Sequence, residues 1–204
     1  MSGTTTGAPE RRARHDPVES EREILAAAEQ LLRERPFREI TVAAIMARTG
    51  LKRPAFYVHF ADRYELVLRV VEEIGAALFE MADRWLKGSA PRADIRSAMH
   101  GVADVYSAHG RVMRALADAA TSDARVEATY RALVQGFVDA TAEHIEAEQA
   151  TGEIAAELNA REIARALVWM NERYLYEALG GGSGEDPVRI ADVLALIWLA
   201  TLYP

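Results

Sequence analysis

The sequence predicts an all-α protein, with a small N-terminal three-helix head carrying a helix-turn-helix and a larger C-terminal helical body, about nine helices in all. Three observations predict it. Apolar residues recur every three to four positions along most of the chain, no stretch sustains the period-two alternation of a half-buried strand, and the breaks between periodic segments are short and marked by Gly or Pro.

Bulk composition narrows the class further. The 204 residues are 50% hydrophobic, enough for a sizeable core. The absence of cysteine removes disulfides, thiolate metal sites and a thiol nucleophile, and points to the cytosol. Met1 to Pro17 lacks the apolar stretch of a secretory signal, and no run approaches the ~18 continuous apolar residues of a membrane span. A soluble protein with no membrane partner is expected, and residues 1–18, with Arg11, Arg12 and Arg14, read as a disordered basic arm able to add phosphate contacts. Net charge is −7, but residues 1–70 carry 12 Lys+Arg against 10 Asp+Glu while the remainder carries 12 against 21. A slightly basic head therefore precedes an acidic body.

The elements follow in order. Glu19 to Glu34 sets Ile24, Leu25, Ala28, Leu31 and Leu32 on one face, and Pro36 stops it. Thr41 is placed to cap a short helix to Thr49 whose apolar face is Ile45 and Met46, and Gly50 ends it. A third short helix spans Lys52 to His59, with Pro54 tolerated in its first turn. Asp62 caps a long helix to about Lys87 through Leu66, Val70, Ile74 and Leu78, and Gly88-Ser89-Ala90-Pro91 closes it. Further helices are expected near Arg92 to Ala108, Val112 to Ala119, Asp123 to Ala150, Ala160 to Leu179 and Pro187 to Leu202. The run from Gly180 to Gly184 follows a helix and lacks the Gly-Lys-Ser/Thr ending of a phosphate loop, so it reads as a surface connection.

Two short helices around a Gly-containing turn, followed at once by a long capped helix, form a helix-turn-helix covering residues 19–66. Ile45, Leu51, Phe56 and Phe60 are expected to meet in its core, leaving Lys52, Arg53, Ala55, Tyr57 and His59 on the outer face of the third helix. Lys52 and Arg53 can donate to guanine O6 and N7, Ala55 can touch a thymine methyl, and Tyr57 and His59 can reach phosphates. Thr41 and Arg63, at helix N-termini, complete the expected contacts to double-stranded DNA.

At this string, ITVAAIMARTGLKRPAFYVHFADRYEL, the chain resembles the TetR family of bacterial repressors. The matching features are Thr41, Gly50, the Phe56-Tyr57 pair and Phe60-x-x-Arg63-x-x-Leu66. Lys52 stands where that family commonly has Ser or Thr, and Met46 where it has Ala, which implies an uncapped recognition helix and a bulkier helix crossing. One branch of the family is matched further, by Arg53-Pro54-x-Phe56-Tyr57, Met170-Asn171-Glu172-Arg173 and the ending Ile197-Trp198 to Leu202-Tyr203. That resemblance implies an effector tunnel in the body, residues 67–204, lined here by Met99, Val102, Tyr106, Tyr130, Phe137, Trp169, Asn171 and Trp198, with Asn171 as polar anchor for a small apolar ligand. Singly, Trp169, Tyr106 and Phe137 read equally well as core.

The last two helices present Ile163, Leu167, Met170, Tyr174, Leu194, Ile197 and Leu202, more apolar surface than an exposed pair should carry, so a homodimer through a four-helix bundle is expected. Two-fold symmetry then implies a palindromic operator with half-sites about 34–36 Å apart or a multiple of it. His100, His109 and His144 lack metal-ligand spacing and read as helix-surface residues, so neither metal nor cofactor is expected. No nucleophile–base pair, carboxylate pair or metal cluster is visible, so no enzymatic activity is expected; the rival reading is an all-α ligand-binding or enzymatic protein whose head binds protein.

Overall fold

The computed structural model describes residues 16–181 and 184–204. The basic arm lies outside the described residues, except that Pro17 and Val18 already belong to the first helix. This helix, α1 (Pro17–Glu34), starts earlier than the apolar periodicity suggested because Asp16 caps it, accepting the Val18 N–H at 3.0 Å, and Pro17 has no N–H to lose. A 3₁₀ turn at Phe37–Glu39, too short for any periodic signal, buries Phe37.

The Thr41 hydroxyl caps α2 (Val42–Met46) by accepting from Ala44 N at 3.1 Å. The helix is shorter than expected, since beyond Met46 the chain loosens into turns and the Thr49 hydroxyl donates to the Met46 carbonyl. The recognition segment opens as a 3₁₀ turn, Arg53–Ala55, and becomes α-helical only in α3 (Phe56–His59). Lys52 occupies its N-cap position without a side-chain cap bond, the consequence expected of a lysine there.

Asp62 caps α4 (Arg63–Leu86), accepting from Tyr64 N at 2.8 Å and Glu65 N at 2.9 Å, while the Glu65 carboxylate accepts from Ala61 N. Next comes α5 (Pro91–Ala120), one 30-residue helix where the sequence suggested two. Gly110, which falls in the gap between those two, stands in the helix because the end of α7 passes over it: a Cβ there would lie 2.5 Å from the Leu179 carbonyl oxygen. The remaining helices are α6 (Ala124–Thr151), ended by Gly152 at φ 81°, α7 (Ala160–Leu179) and α8 (Pro187–Leu202). Among the described residues this makes eight α-helices and no strand.

Helix α5 is the centre of the body, packed on α1, α4, α6, α7 and α8. Buried side chains run without a gap in contact from Ile24 of the head to Tyr203, so head and body share one core. The expected boundary between residues 66 and 67 falls inside α4. Polar links reinforce the junction: His109 Nδ1 to Glu29 at 2.7 Å, Arg38 to Asp118 at 3.4 Å, and Arg125 to Asp62 at 3.0 Å.

Candidate DNA-reading face and ligand cavity

The head is assembled around Ile45, Phe56 and Phe60, each at most 1% exposed, with Leu51 partly buried beside them. Burying those faces turns Lys52, Arg53 and Tyr57 to solvent. Arg53 and Tyr57 stand one turn apart, with the guanidinium 3.4 Å from the phenol oxygen, so donors of different reach share one surface. His59 is half-buried against Phe60 and keeps part of its ring at the edge of that surface.

Two expected contacts shift. Ala55 packs partly against the core, and the outward apolar position is taken by Val58, which is 75% exposed and was not singled out from the sequence. Arg63 turns inward. Its guanidinium donates to the Ile40 carbonyl at 2.7 Å and the Phe37 carbonyl at 3.2 Å, and lies over the Phe37 ring at 4.6 Å. These bonds join the 3₁₀ turn to α4, so Arg63 braces the head instead of facing a phosphate. Thr41 is exposed, but its hydroxyl is engaged in capping. Elsewhere in the head Arg48 is held by Glu34 in a two-point ion pair at 2.5 and 2.6 Å, a bond that keeps the Glu34 carboxyl below the usual range.

Behind the head, α4 to α8 enclose a cavity of about 90 Å³. Met99, Val102, Tyr106, Tyr130, Phe137, Asn171 and Trp198 all line it. Trp169 does not: it is 41% exposed on the outer side of α7, and its neighbour Val168 occupies the inner position. At 3.6 residues per turn a one-residue error in an aligned helix swings a side chain by about 100°. Leu78 and Trp85 bring the C-terminal half of α4 into the same wall.

The polar groups are few and mostly paired. Asn171 Oδ1 accepts from the Trp198 indole N–H at 3.0 Å, and its Nδ2 lies 3.3 Å from Met99 Sδ. Its partner within the protomer is thus an aromatic N–H. Glu172, which was not among the residues expected at the cavity, is 8% exposed, lines it and accepts the Tyr130 hydroxyl. Its register could have revealed it, because it lies four residues after Val168 and three before Leu175, inside the apolar stripe of α7. Burial, and then the nearby Glu172 charge, push the Tyr106 phenol well above its usual range; burial and the hydrogen bond to Glu172 do the same to Tyr130. Both remain protonated donors at neutral pH.

The histidines are less superficial than expected. His109 is tied to Glu29, and His144 packs edge-on to Trp85 at 4.2 Å, with Nε2 3.4 Å from Glu148 without the geometry of a hydrogen bond. His100 pairs with Asp192 at the surface. No helix of the described residues is long and apolar enough to cross a membrane.

A helix-turn-helix head fused through one long helix to a helical body with an internal cavity defines a class of regulator. The model described as "Bacterial regulatory proteins, tetR family" matches residues 24–70, and "Transcriptional regulator EthR, C-terminal domain" matches residues 95–204. The chain belongs to the TetR family of transcriptional regulators, whose members bind DNA and small-molecule effectors and dimerise. It is similar to the HTH-type transcriptional regulator EthR of Mycobacterium tuberculosis, at 31% identity over 95% of this chain and 91% of that protein. EthR of Mycolicibacterium smegmatis is 29% identical over 99% of this chain and 94% of its own. In fold it superposes on the fatty acid degradation regulator FadR from Bacillus halodurans with a TM-score of 0.78 at 12% identity, covering 98% and 99% of the two chains.

Proposed function

We propose that this chain is a repressor that binds a palindromic operator as a homodimer in the cytoplasm, at the nucleoid, and leaves it when a small, mainly apolar effector fills the cavity. It acts as a regulator and not as an enzyme. One observation carries the reading: α4 is both a wall of the cavity, through Leu78 and Trp85, and the support of the recognition segment, through its cap at Asp62.

The size of the cavity supplies the mechanism. Sites that enclose drug-sized ligands run to roughly 300–1,000 Å³, so an effector of that size must part the walls around the 90 Å³ present here. At ~1.5 Å rise per residue α4 is about 36 Å long, and a small tilt at its cavity end displaces the head at the other. The effector shifts the population toward the spread form only by its differential affinity for it.

On the reading face, Lys52 and Arg53 are the base-contacting candidates, Tyr57 and His59 the phosphate-contacting ones, and Val58 the apolar contact in place of Ala55. The dimer forms through α7 and α8. Their outward apolar side chains are Trp169, Val188, Val193, Leu196 and Ile197, whereas Leu167, Leu194 and Leu202 are spent on the protomer's own core.

Fluorescence anisotropy of the purified protein on the DNA upstream of its gene, over a salt series, tests this. Lys52→Ala and Arg53→Ala are each expected to weaken binding by about 1–3 kcal/mol, with affinity falling steeply as salt rises. Binding equal to that of random DNA on every fragment of a genome-wide selection would remove the reading.

A further inference from the structure

The cavity contains a charge it does not answer. Glu172 is 8% exposed, and while its Oε1 accepts from Tyr130, its Oε2 is out of contact with solvent and has no hydrogen-bond partner among the described residues. No Lys, Arg or His lines the cavity among the described residues. The next residue, Arg173, is exposed and ion-paired with Glu177 at 3.2 Å; it feels the Glu172 charge through space but makes no ion pair with it. A buried carboxylate with one neutral donor, and a cation only outside the cavity that is already paired elsewhere, has lost its water for little compensation, which is costly. The rest of the wall is hydrocarbon and aromatic, including Phe137, Trp85 and Trp198, whose ring faces also favour a cation. Phenols held protonated at Tyr106 and Tyr130 add donors but no positive charge.

We propose that the effector is a monocationic amphiphile, a protonated amine on an alkyl or aryl body, whose ammonium group pairs with Glu172 Oε2 while the body fills the apolar cavity. An alcohol or amide could satisfy one lone pair but would leave the charge buried, and a carboxylate ligand would be repelled by it. This rests on the cavity being the effector site and adds the chemical class that the site selects.

Calorimetric titration of the full chain at neutral pH with 4-phenylbutylamine, 4-phenylbutanol and 4-phenylbutanoate tests it, since the three share one body and differ in charge. The amine is expected to bind at least tenfold more tightly than the alcohol, with the carboxylate weakest. Glu172→Gln keeps the acceptor for Tyr130, removes a desolvated charge and is expected to melt no lower than the parent. In it the three affinities converge. Tyr130→Phe retains the carboxylate and is expected to keep the amine preference.

Equal or tighter binding of the alcohol, an amine preference that survives Glu172→Gln, or failure of all three to bind overturns the proposal. Anisotropy on operator DNA separates it from the repressor reading. Glu172-dependent amine binding with no change in DNA affinity supports the ligand class and counts against release. Release by the alcohol as readily as by the amine counts against the class and leaves the repressor intact.

Discussion

Arg53 and Arg63 stand ten positions apart in one small head, and the groups around them give them opposite tasks. Arg53 is exposed and its guanidinium lies 3.4 Å from the Tyr57 hydroxyl oxygen, so most of its donors are available to a partner. Arg63 spends its guanidinium on two backbone carbonyls and an aromatic face. Arg63→Ala therefore leaves the Phe37 and Ile40 carbonyls short of a donor, and is expected to lower stability by about 1–3 kcal/mol, with DNA affinity falling only as the head loosens. Arg53→Ala is expected to leave the thermal midpoint unchanged while weakening DNA binding. Melting curves beside anisotropy separate the two, and a reversed pattern would exchange their roles. The sequence showed which positions carry charge near the reading face, but a guanidinium on a flexible stem can turn to either side of its helix. The same limit explains Asn171 and Glu172: the family resemblance pointed to Asn171 and the register of α7 also admits Glu172, while their partners, Trp198 and Tyr130, come from α8 and α6.

The N-caps at Thr41 and Asp62 were legible, because caps are short-range chemistry, whereas several helix limits were not. Thr41 and Asp62 cap where the sequence placed them, and Asp123 accepts from Arg125 N at 2.8 Å. Gly110 was illegible for the opposite reason, since its cause lies in α7. Gly110→Ala gains up to about 1 kcal/mol of helix propensity, yet its Cβ meets backbone that cannot rotate away. Overpacking of this kind is expected to win, with a net loss of about 1–2 kcal/mol in urea denaturation; a stabilised variant would show that α7 can shift.

The caps of α4 and α6 are also joined: the Arg125 guanidinium bonds Asp123 at 2.9 Å and Asp62 at 3.0 Å. The Arg125 bond holds the Asp123 carboxyl below its usual range. Burial raises the Asp62 carboxyl, but the Glu65 N–H, Arg125 and the Tyr64 N–H together bring it below its usual range. Depressed acid pKa values contribute stability that is present above the unfolded value, near 3.9, and lost as pH falls through the lower folded value. The stability difference between the parent and Arg125→Ala is therefore expected to stay constant from about pH 5 to 8 and to shrink below about pH 4. A difference that varied between pH 6 and 8 would mean that a histidine, not this clasp, governs the junction.

The molecule as a whole reads as two halves of unequal legibility. The head's function was visible because every part of its signature falls within 27 consecutive residues, Ile40 to Leu66. The cavity is built from five helices spread from Leu78 to Trp198, and no local pattern marks a void. The proposed dimer surface is intermediate: the C-terminal pair was recognisably apolar, but which half of that surface feeds the core depends on how α8 lies on α5. Leu196 is 64% exposed with Ile197 and Val193 beside it, too far from the core to stabilise the protomer much. Leu196→Asp should then leave the fold nearly as stable while placing an unpaired charge in the centre of the proposed interface. Analytical ultracentrifugation is expected to show a monomer at concentrations where the parent is a dimer. A monomer presents one reading head and loses the effective concentration that the second gains from being linked, so operator affinity is expected to fall by roughly 10²–10⁴ while affinity for a single half-site stays unchanged. Dimers that persist in Leu196→Asp would place the interface elsewhere on the body, and the two heads would then need a different spacing on the operator.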